Sequence, residues 1–403
     1  MLTGSLVISW IFAKSITNAA NLGAAYGLVG GVAYATYYLS FAVAGYIIYQ
    51  LRTQGGYASI HHFLESRFGR GALILFSILI GIRLFNEVWS NTMVIGSYFG
   101  ATGSGSYYTA ILIFTALTLL YTLKGGLSSS IFTDVIQMVL FTVLLFVILS
   151  YIFSVDDFTV KDVLQSGDWT MELGGNLILA ALLQSFSYPF HDPVLTDRGF
   201  ILSPKKTLKS FFWATGVGFM CILLFSIIGM YAQQNGLEGQ AAVMVSKSFG
   251  TVALLIVNFI MVTSAASTLD STFSSSAKLV AIDLGLGQNI IFGRLVMIGV
   301  AILGTIPVFL EAEILSATTI SGTMVIGLTP VFLFWKIQSS KLSFYLAISV
   351  GIIFGILLVW GIFPESLIWT TGKYADLLWV NIWGIFCCCF VYMLPVWTKR
   401  FSI

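Results

Sequence analysis

Charge is what this 403-residue chain has least of: only 9% of it is Asp, Glu, Lys or Arg, where a soluble globular chain carries roughly a quarter. So few charges cannot cover a water-facing surface. The net charge is +2, with no basic cluster of the kind that tracks a nucleic acid. Cysteine is limited to four residues, Cys221 and the run Cys387, Cys388 and Cys389. Successive helical residues splay about 100° apart, so that run cannot close on one metal ion. No nucleotide-cradling loop, metal cluster or hydrolytic triad appears, so the reading is not an enzyme and calls for no cofactor. The start of the chain, Ser5 to Tyr26, lacks the basic n-region and small-residue cleavage site of a signal peptide.

What is there is apolar: 58% of the residues are hydrophobic. They fall in runs near the ~20 residues an α-helix needs to cross the hydrocarbon core. A β-barrel would instead show short alternating segments. The fold class is therefore an all-α polytopic membrane protein, a single transmembrane domain over 1–403 embedded in the lipid bilayer. We count about twelve spans, at roughly 5–27, 29–51, 71–99, 106–123, 131–154, 174–191, 208–233, 250–281, 290–310, 314–337, 341–363 and 375–398. An amphipathic stretch, YASIHHFLESRFG, lies between the second and third. With both termini in the cytoplasm, fourteen Lys and Arg fall on inside loops and ends and three on outside connections. That is the positive-inside bias expected of a multi-pass protein of the cell membrane.

Two spans are irregular. The first reads WIFAKSITNAANLGAAYG, and its middle carries Lys14, Ser15, Thr17, Asn18 and Asn21. The sixth, NLILAALLQSFSYPFHDP, is apolar and then breaks into Gln184, Ser185, Ser187, Tyr188, Pro189 and His191. Polar side chains at bilayer depth are costly and face a cavity, a partner helix or a ligand. Interrupted helices in corresponding positions of two halves mark inverted repeats around a midplane binding site. The repeats would be spans 1–5 (5–154) and 6–10 (174–337), with two more helices over 341–398. Ser- and Asn-rich packing between helices is the alternative for each break taken alone. The eighth span adds Thr263 and Ser264 one turn after Ile260, whose carbonyl with the two hydroxyls suits a hard alkali cation. Hydroxyls bonding back to their own helix are the other reading.

The third span holds GIRLFNEVWSNTM. Arg83 and Glu87, four apart, can pair on one helix face. Asn86, Glu87, Ser90 and Asn91 form a polar face, with Glu87 favoured for pairing over solute contact. With Ser15, Asn18, Tyr188 and Thr319 they would make a neutral, hydrogen-bonding pocket for a small polar solute: a sugar, urea, an amino acid or a carboxylate. Asp270 in the eighth span is either a proton-linked or ion-linked group or a capping residue bonded to neighbouring hydroxyls. His191 reads as a loop-end hydrogen-bond partner.

The stretch YTLKGGLSSSIFTDVIQMVLF resembles the sodium:solute symporter family, whose members carry Y-T-x-x-G-G-L followed by T-D-x-x-Q. Tyr121, Thr122, Gly125, Gly126, Leu127, Thr133, Asp134 and Gln137 fall in register. TSAASTLDS in the eighth span, SGTMVIGLTPVFLFWK in the tenth and HHFLESRFG resemble the family as well. The resemblance implies a LeuT-type fold and sodium-coupled solute uptake by alternating access, with sodium as coupling ion and no obligate protein partner. It implies a sodium site from the Ala13, Ile16 and Ile260 carbonyls and the Thr263 and Ser264 hydroxyls. It further implies Asp134 on the inner ion route, Tyr188 as a gate over the solute, and Arg198 as a basic residue of the inner loop. The chain departs from the family in starting at the first core helix and in Lys14, where relatives carry a small residue. Lys14 either stands in for sodium, making transport sodium-independent, or pairs with Glu87 or Asp270. The first-span spacing resembles the urea/polyamine branch as much as the amino-acid branch. A transporter-like sensor or a non-transporting member are the rival classes.

Overall fold

The computed structural model describes residues 1–403 apart from 12, 156, 288, 311–321, 402 and 403, and all their side chains apart from 126–131, 133, 310 and 399–401. In chain order the helices begin with α1 (Leu2–Trp10), α2 (Ala13–Thr36), α3 (Ser40–Thr53), α4 (Ile60–Phe68), α5 (Arg70–Phe99) and α6 (Gly105–Phe153). There follow α7 (Val160–Gln165), α8 (Asn176–Gln184), α9 (Pro193–Arg198), α10 (Pro204–Gln234) and α11 (Ala241–Ser248). The last are α12 (Thr251–Lys278), α13 (Ile290–Thr305), α14 (Leu328–Leu333), α15 (Lys341–Trp360) and α16 (Ala375–Phe401). No strand occurs among the described residues. The all-α membrane architecture is as the composition requires.

Among the described residues, nine helices are long and apolar enough to cross a membrane. Three of the twelve expected spans are not counted separately. The first and second spans share one stretch, Ala13–Thr53. The sixth is broken, so its apolar part, Met171–Gln184, is too short to count. The tenth lies partly outside the described residues, and Thr319 and the Glu311–Glu313 segment with it. The loop expected between the fourth and fifth spans is instead helical, within α6. No proline interrupts it, and each glycine costs a helix only about 1 kcal/mol.

The first span breaks earlier than its polar residues suggest. α1 ends at Trp10, Ile11 lies outside helical geometry and α2 starts at Ala13, so Lys14 to Asn21 are regular α-helix. Side chains from elsewhere hold the break. Tyr38 Oη donates to the Trp10 carbonyl at 2.8 Å and Ser264 Oγ to the Ile11 carbonyl, so two of the carbonyls freed there are bonded. The sixth span breaks where expected. After Gln184 the chain passes through a tight turn at Tyr188–His191, and α9 starts at Pro193, capped by Asp192 Oδ1 accepting from Leu195 N at 3.3 Å.

α2 turns at Gly27 (φ 60°, ψ −143°), a conformation that a residue with a Cβ adopts only under strain. Ser166 docks there, accepting from Leu28 N through both its carbonyl and its hydroxyl. Below the turn, α2 packs along α10 through glycines. A Cβ on Gly23 would strike the Ser226 carbonyl, and one on Gly229 the Ala20 carbonyl. Small residues let two helix backbones approach closely where lipid offers no hydrophobic drive to associate.

Candidate functional site

A cavity of about 400 Å³ lies along α2 between the two breaks. Trp10, Lys14, Ser15 and Asn18 of the first span, Tyr34 and Tyr37 of the second and Tyr188 of the sixth line it. Exposure rises along α2, from buried Lys14 and Ser15 through half-buried Asn18 to exposed Asn21 and Ala25. The cavity therefore deepens from the Gly27 end towards the break. Its floor is polar: Tyr34 Oη donates to Ser15 Oγ at 3.2 Å and accepts from Asn18 Nδ2 at 3.5 Å. Trp10 and Tyr188 meet edge to face, ring centres 5.7 Å apart.

Behind that wall sits a buried charge network. Lys14 Nζ meets Glu87 Oε1 at 2.7 Å and Ser90 Oγ at 3.3 Å. Arg83 also pairs with Glu87, and reaches Asp192 Oδ2 at 3.1 Å. Asn91 Nδ2 donates to the second Glu87 oxygen at 2.9 Å, and Trp10 Nε1 to Asp192 Oδ2 at 2.8 Å. Lys14, Arg83, Glu87 and Asp192 are each at most 3% exposed. Two cations and two anions so deep are tolerable only as hydrogen-bonded pairs. The Arg83 guanidinium also lies 5.0 Å from the centre of the Tyr188 ring, putting positive charge just behind the cavity wall.

The sequence reading is corrected here in part. Ser15, Asn18 and Tyr188 line the cavity, but Asn86, Glu87 and Ser90 are not among its lining residues. Glu87 and Ser90 stand one layer back, holding Lys14, and Asn86 Oδ1 accepts from Trp89 Nε1 at 3.1 Å on its own helix. Nor is the lining neutral, because Lys14 belongs to it. Lys14 meets Glu87, one of the two carboxylates expected, and points to α5. Ser264, by contrast, bonds the break from α12. Asp192, central to the network, was missed. It reads in the sequence as a loop residue between His191 and Pro193, and its partners Trp10 and Arg83 lie 182 and 109 residues away.

Of the ion-site candidates, Ser264 reaches the same break. Ala13, Ile16, Ile260, Thr263 and Ser264 are all buried, and Ser264 is bonded to the Ile11 carbonyl, two residues before Ala13. Thr263 and Ser264 offer only oxygen, the donor type a hard alkali cation takes. One turn further along α12 lies a second network. Asp134 accepts from Ser5 and Ser267 hydroxyls, both at 2.6 Å, and pairs with Arg198 Nη2 at 2.9 Å. Arg198 also donates to Ser5 Oγ at 2.8 Å and Ser271 Oγ at 3.0 Å. Asp270 accepts from Tyr121 Oη at 2.9 Å and Ser271 Oγ at 3.2 Å, which matches the hydroxyl-bonded alternative. At the far end of α12, Lys278 joins Asp197 and Asp283, both at 2.9 Å. His61 on α4 lies 3.6 Å from Asp283, yet burial, with Lys278 adding to it, pulls His61 down to about 4, so that contact is neutral near pH 7.

The fold is shared with solved transporters. Across nearly its whole length the structure is similar to a Na+-coupled sialic acid symporter in a substrate-bound outward-open state, with TM-score 0.61, 14% identity, 97% of this chain and 94% of that one covered. It is likewise similar to Mhp1, a nucleobase-cation-symport-1 family transporter in a closed conformation, with TM-score 0.62, 14% identity and coverage of 99% and 92%. At that identity the likeness concerns the fold alone, which is that of the LeuT-type transporters.

Residues 2–164 match the sodium:solute symporter family, so the resemblance read from the sequence is borne out over that segment. The chain is 29% identical over 155 residues to solute carrier family 5 member 4A of Mus musculus, and 27% over 157 residues to sodium/glucose cotransporter 1 of the same species. Each match covers 37% of this chain and 23% of the relative. The chain thus spans about a quarter of the length of these curated relatives.

Proposed function

We propose that this protein is a secondary symporter that uses a sodium gradient to import a small polar solute by alternating access. The observation that carries the reading is the shared break: one interruption of the first span bounds a deep cavity on one side and receives Ser264 on the other. A solute in the cavity and a cation at the Ile260–Ser264 face would then bear on the same piece of backbone. Discontinuous helices couple ion and substrate in this manner at the bilayer midplane.

In this reading the two repeats are 5–154 and 174–337, the termini are cytoplasmic, and the cavity faces outward through Asn21 and Ala25. Sodium would be held by Ala13, Ile16 and Ile260 carbonyls and Thr263 and Ser264 hydroxyls, displacing the Ser264–Ile11 bond. Asp134 would sit on the inner exit route, next to α1. Lys14 serves as a partner of Glu87 on the solute side, and that geometry favours sodium dependence over a lysine in place of the ion. Ser15, Asn18 and Tyr188 would contact the solute, with Thr319 a candidate outside the described residues.

Ser264→Ala tests the shared break. It removes one oxygen ligand and the bond to Ile11, so the sodium concentration for half-maximal uptake is expected to rise several-fold in proteoliposomes. Unchanged sodium activation in a variant that still transports removes the assignment.

A further inference from the structure

The cavity carries lysines in its lining and keeps the nearby carboxylates behind it. Among its described lining residues are two lysines, Lys14 at the deep end and Lys373 at the mouth, and no Asp or Glu. The two carboxylates that balance the deep end, Glu87 and Asp192, are 3% exposed and stand outside the lining. Arg83 adds a third positive centre behind Tyr188. The remaining polar groups at the floor, Ser15, Asn18 and Tyr34, carry hydroxyl or amide donors. An occupant thus meets cationic and neutral groups at both ends of the cavity and aromatic walls between.

We propose that the solute is an anion, a small carboxylate whose charged end lies against Lys14 and whose body lies between Tyr34, Tyr37 and Tyr188. This rests on the transporter reading and narrows its substrate class. Three arguments carry it. A lysine ammonium is a compact charge with three donors, and a ligand carboxylate at Lys14 would share it with Glu87 and share or replace the contact to Ser90. A hydrogen bond with one ionised partner is roughly twice as strong as a neutral one, and a carboxylate adds to it the attraction of two opposite charges. A cationic solute would find no carboxylate in the lining, and a neutral one would gain a hydrogen bond from the lysine but no ion pairing. The cavity, about 400 Å³, lies near the lower end of the ~300–1,000 Å³ typical of small-molecule sites.

Matched pairs test the charge alone. Binding of D-glucuronate against D-glucose, and of L-lactate against L-lactamide, is measured by calorimetry on the full chain in nanodiscs at fixed ionic strength. Each carboxylate is expected to bind at least about tenfold more tightly than its neutral partner, a difference of ~1.4 kcal/mol. Lys14→Met is expected to erase that preference, since Glu87 keeps Arg83 as partner and is not left bare. The comparison on the unsubstituted protein stands even if the variant does not fold. Equal affinity within the pairs, a preference that survives Lys14→Met, or no binding of any acid in a wider monocarboxylate panel overturns the proposal. Carboxylates that bind yet accumulate under no ion gradient support the anion site and overturn the transport reading, so the two failures are distinct.

Discussion

Glu87→Ala is expected to lower stability by about 3–5 kcal/mol, the range for removing one partner of a buried ion pair. Glu87 accepts from Lys14, Arg83 and Asn91 at once. Its loss leaves Arg83 with Asp192 but takes the Glu87 carboxylate from Lys14 at a position 2% exposed. Glu87→Gln is expected to cost less, because the amide oxygen still accepts a hydrogen bond. The double change Lys14→Met, Glu87→Gln is expected to recover much of the loss in Glu87→Gln, since the buried ammonium is removed together with the carboxylate that balanced it. Thermal unfolding in detergent across the four proteins of that cycle gives the coupling directly. Additive single losses would show that Lys14 and Glu87 act independently and that the pair is incidental.

Arg198→Met is expected to have the second large effect, again about 3–5 kcal/mol, with a change in gating that stability alone does not report. The guanidinium ties three elements: Ser5 on α1, Asp134 on α6 and Ser271 on α12. Without it Asp134 keeps only the Ser5 and Ser267 hydroxyls among these partners. α1, which closes the end of the cavity opposite Gly27, should then separate more readily from its neighbours. In a background with the four native cysteines replaced by alanine, Val7→Cys labels slowly because Val7 is fully buried. Adding Arg198→Met should raise its labelling by a membrane-impermeant maleimide several-fold. Unchanged labelling in a folded variant would mean that α1 is held by apolar packing and not by Arg198.

Where the sequence was readable, the reason is local chemistry. The sixth-span break shows in Pro189 and Pro193 beside serines, because proline cannot continue the ladder of hydrogen bonds. The Arg83–Glu87 pair shows because residues four apart share a helix face. The first-span break is different. Trp10, Ile11 and Ala13 include no glycine or proline, and the interruption depends on Tyr38 and Ser264 reaching in to bond the freed carbonyls. Those partners are 28 and 253 residues away, so no local pattern betrays them. Polar residues nearby mark the cavity wall instead, which is why the break was expected further along. Asp192 was hidden for the same reason, its role being set by Trp10 and Arg83 across the fold. Lys14 was legible as an anomaly, and only the fold assigns it to Glu87.

The central claim is that ion and solute act on one break in the first span, so that a sodium gradient drives accumulation. Purified protein in proteoliposomes, given labelled sugars, urea, amino acids and carboxylates, tests it most directly. With sodium outside and potassium inside, at least one solute should accumulate above its external concentration, and replacing external sodium with potassium should abolish that accumulation. Equal uptake with and without the sodium gradient, or no accumulation of any solute, would contradict the account.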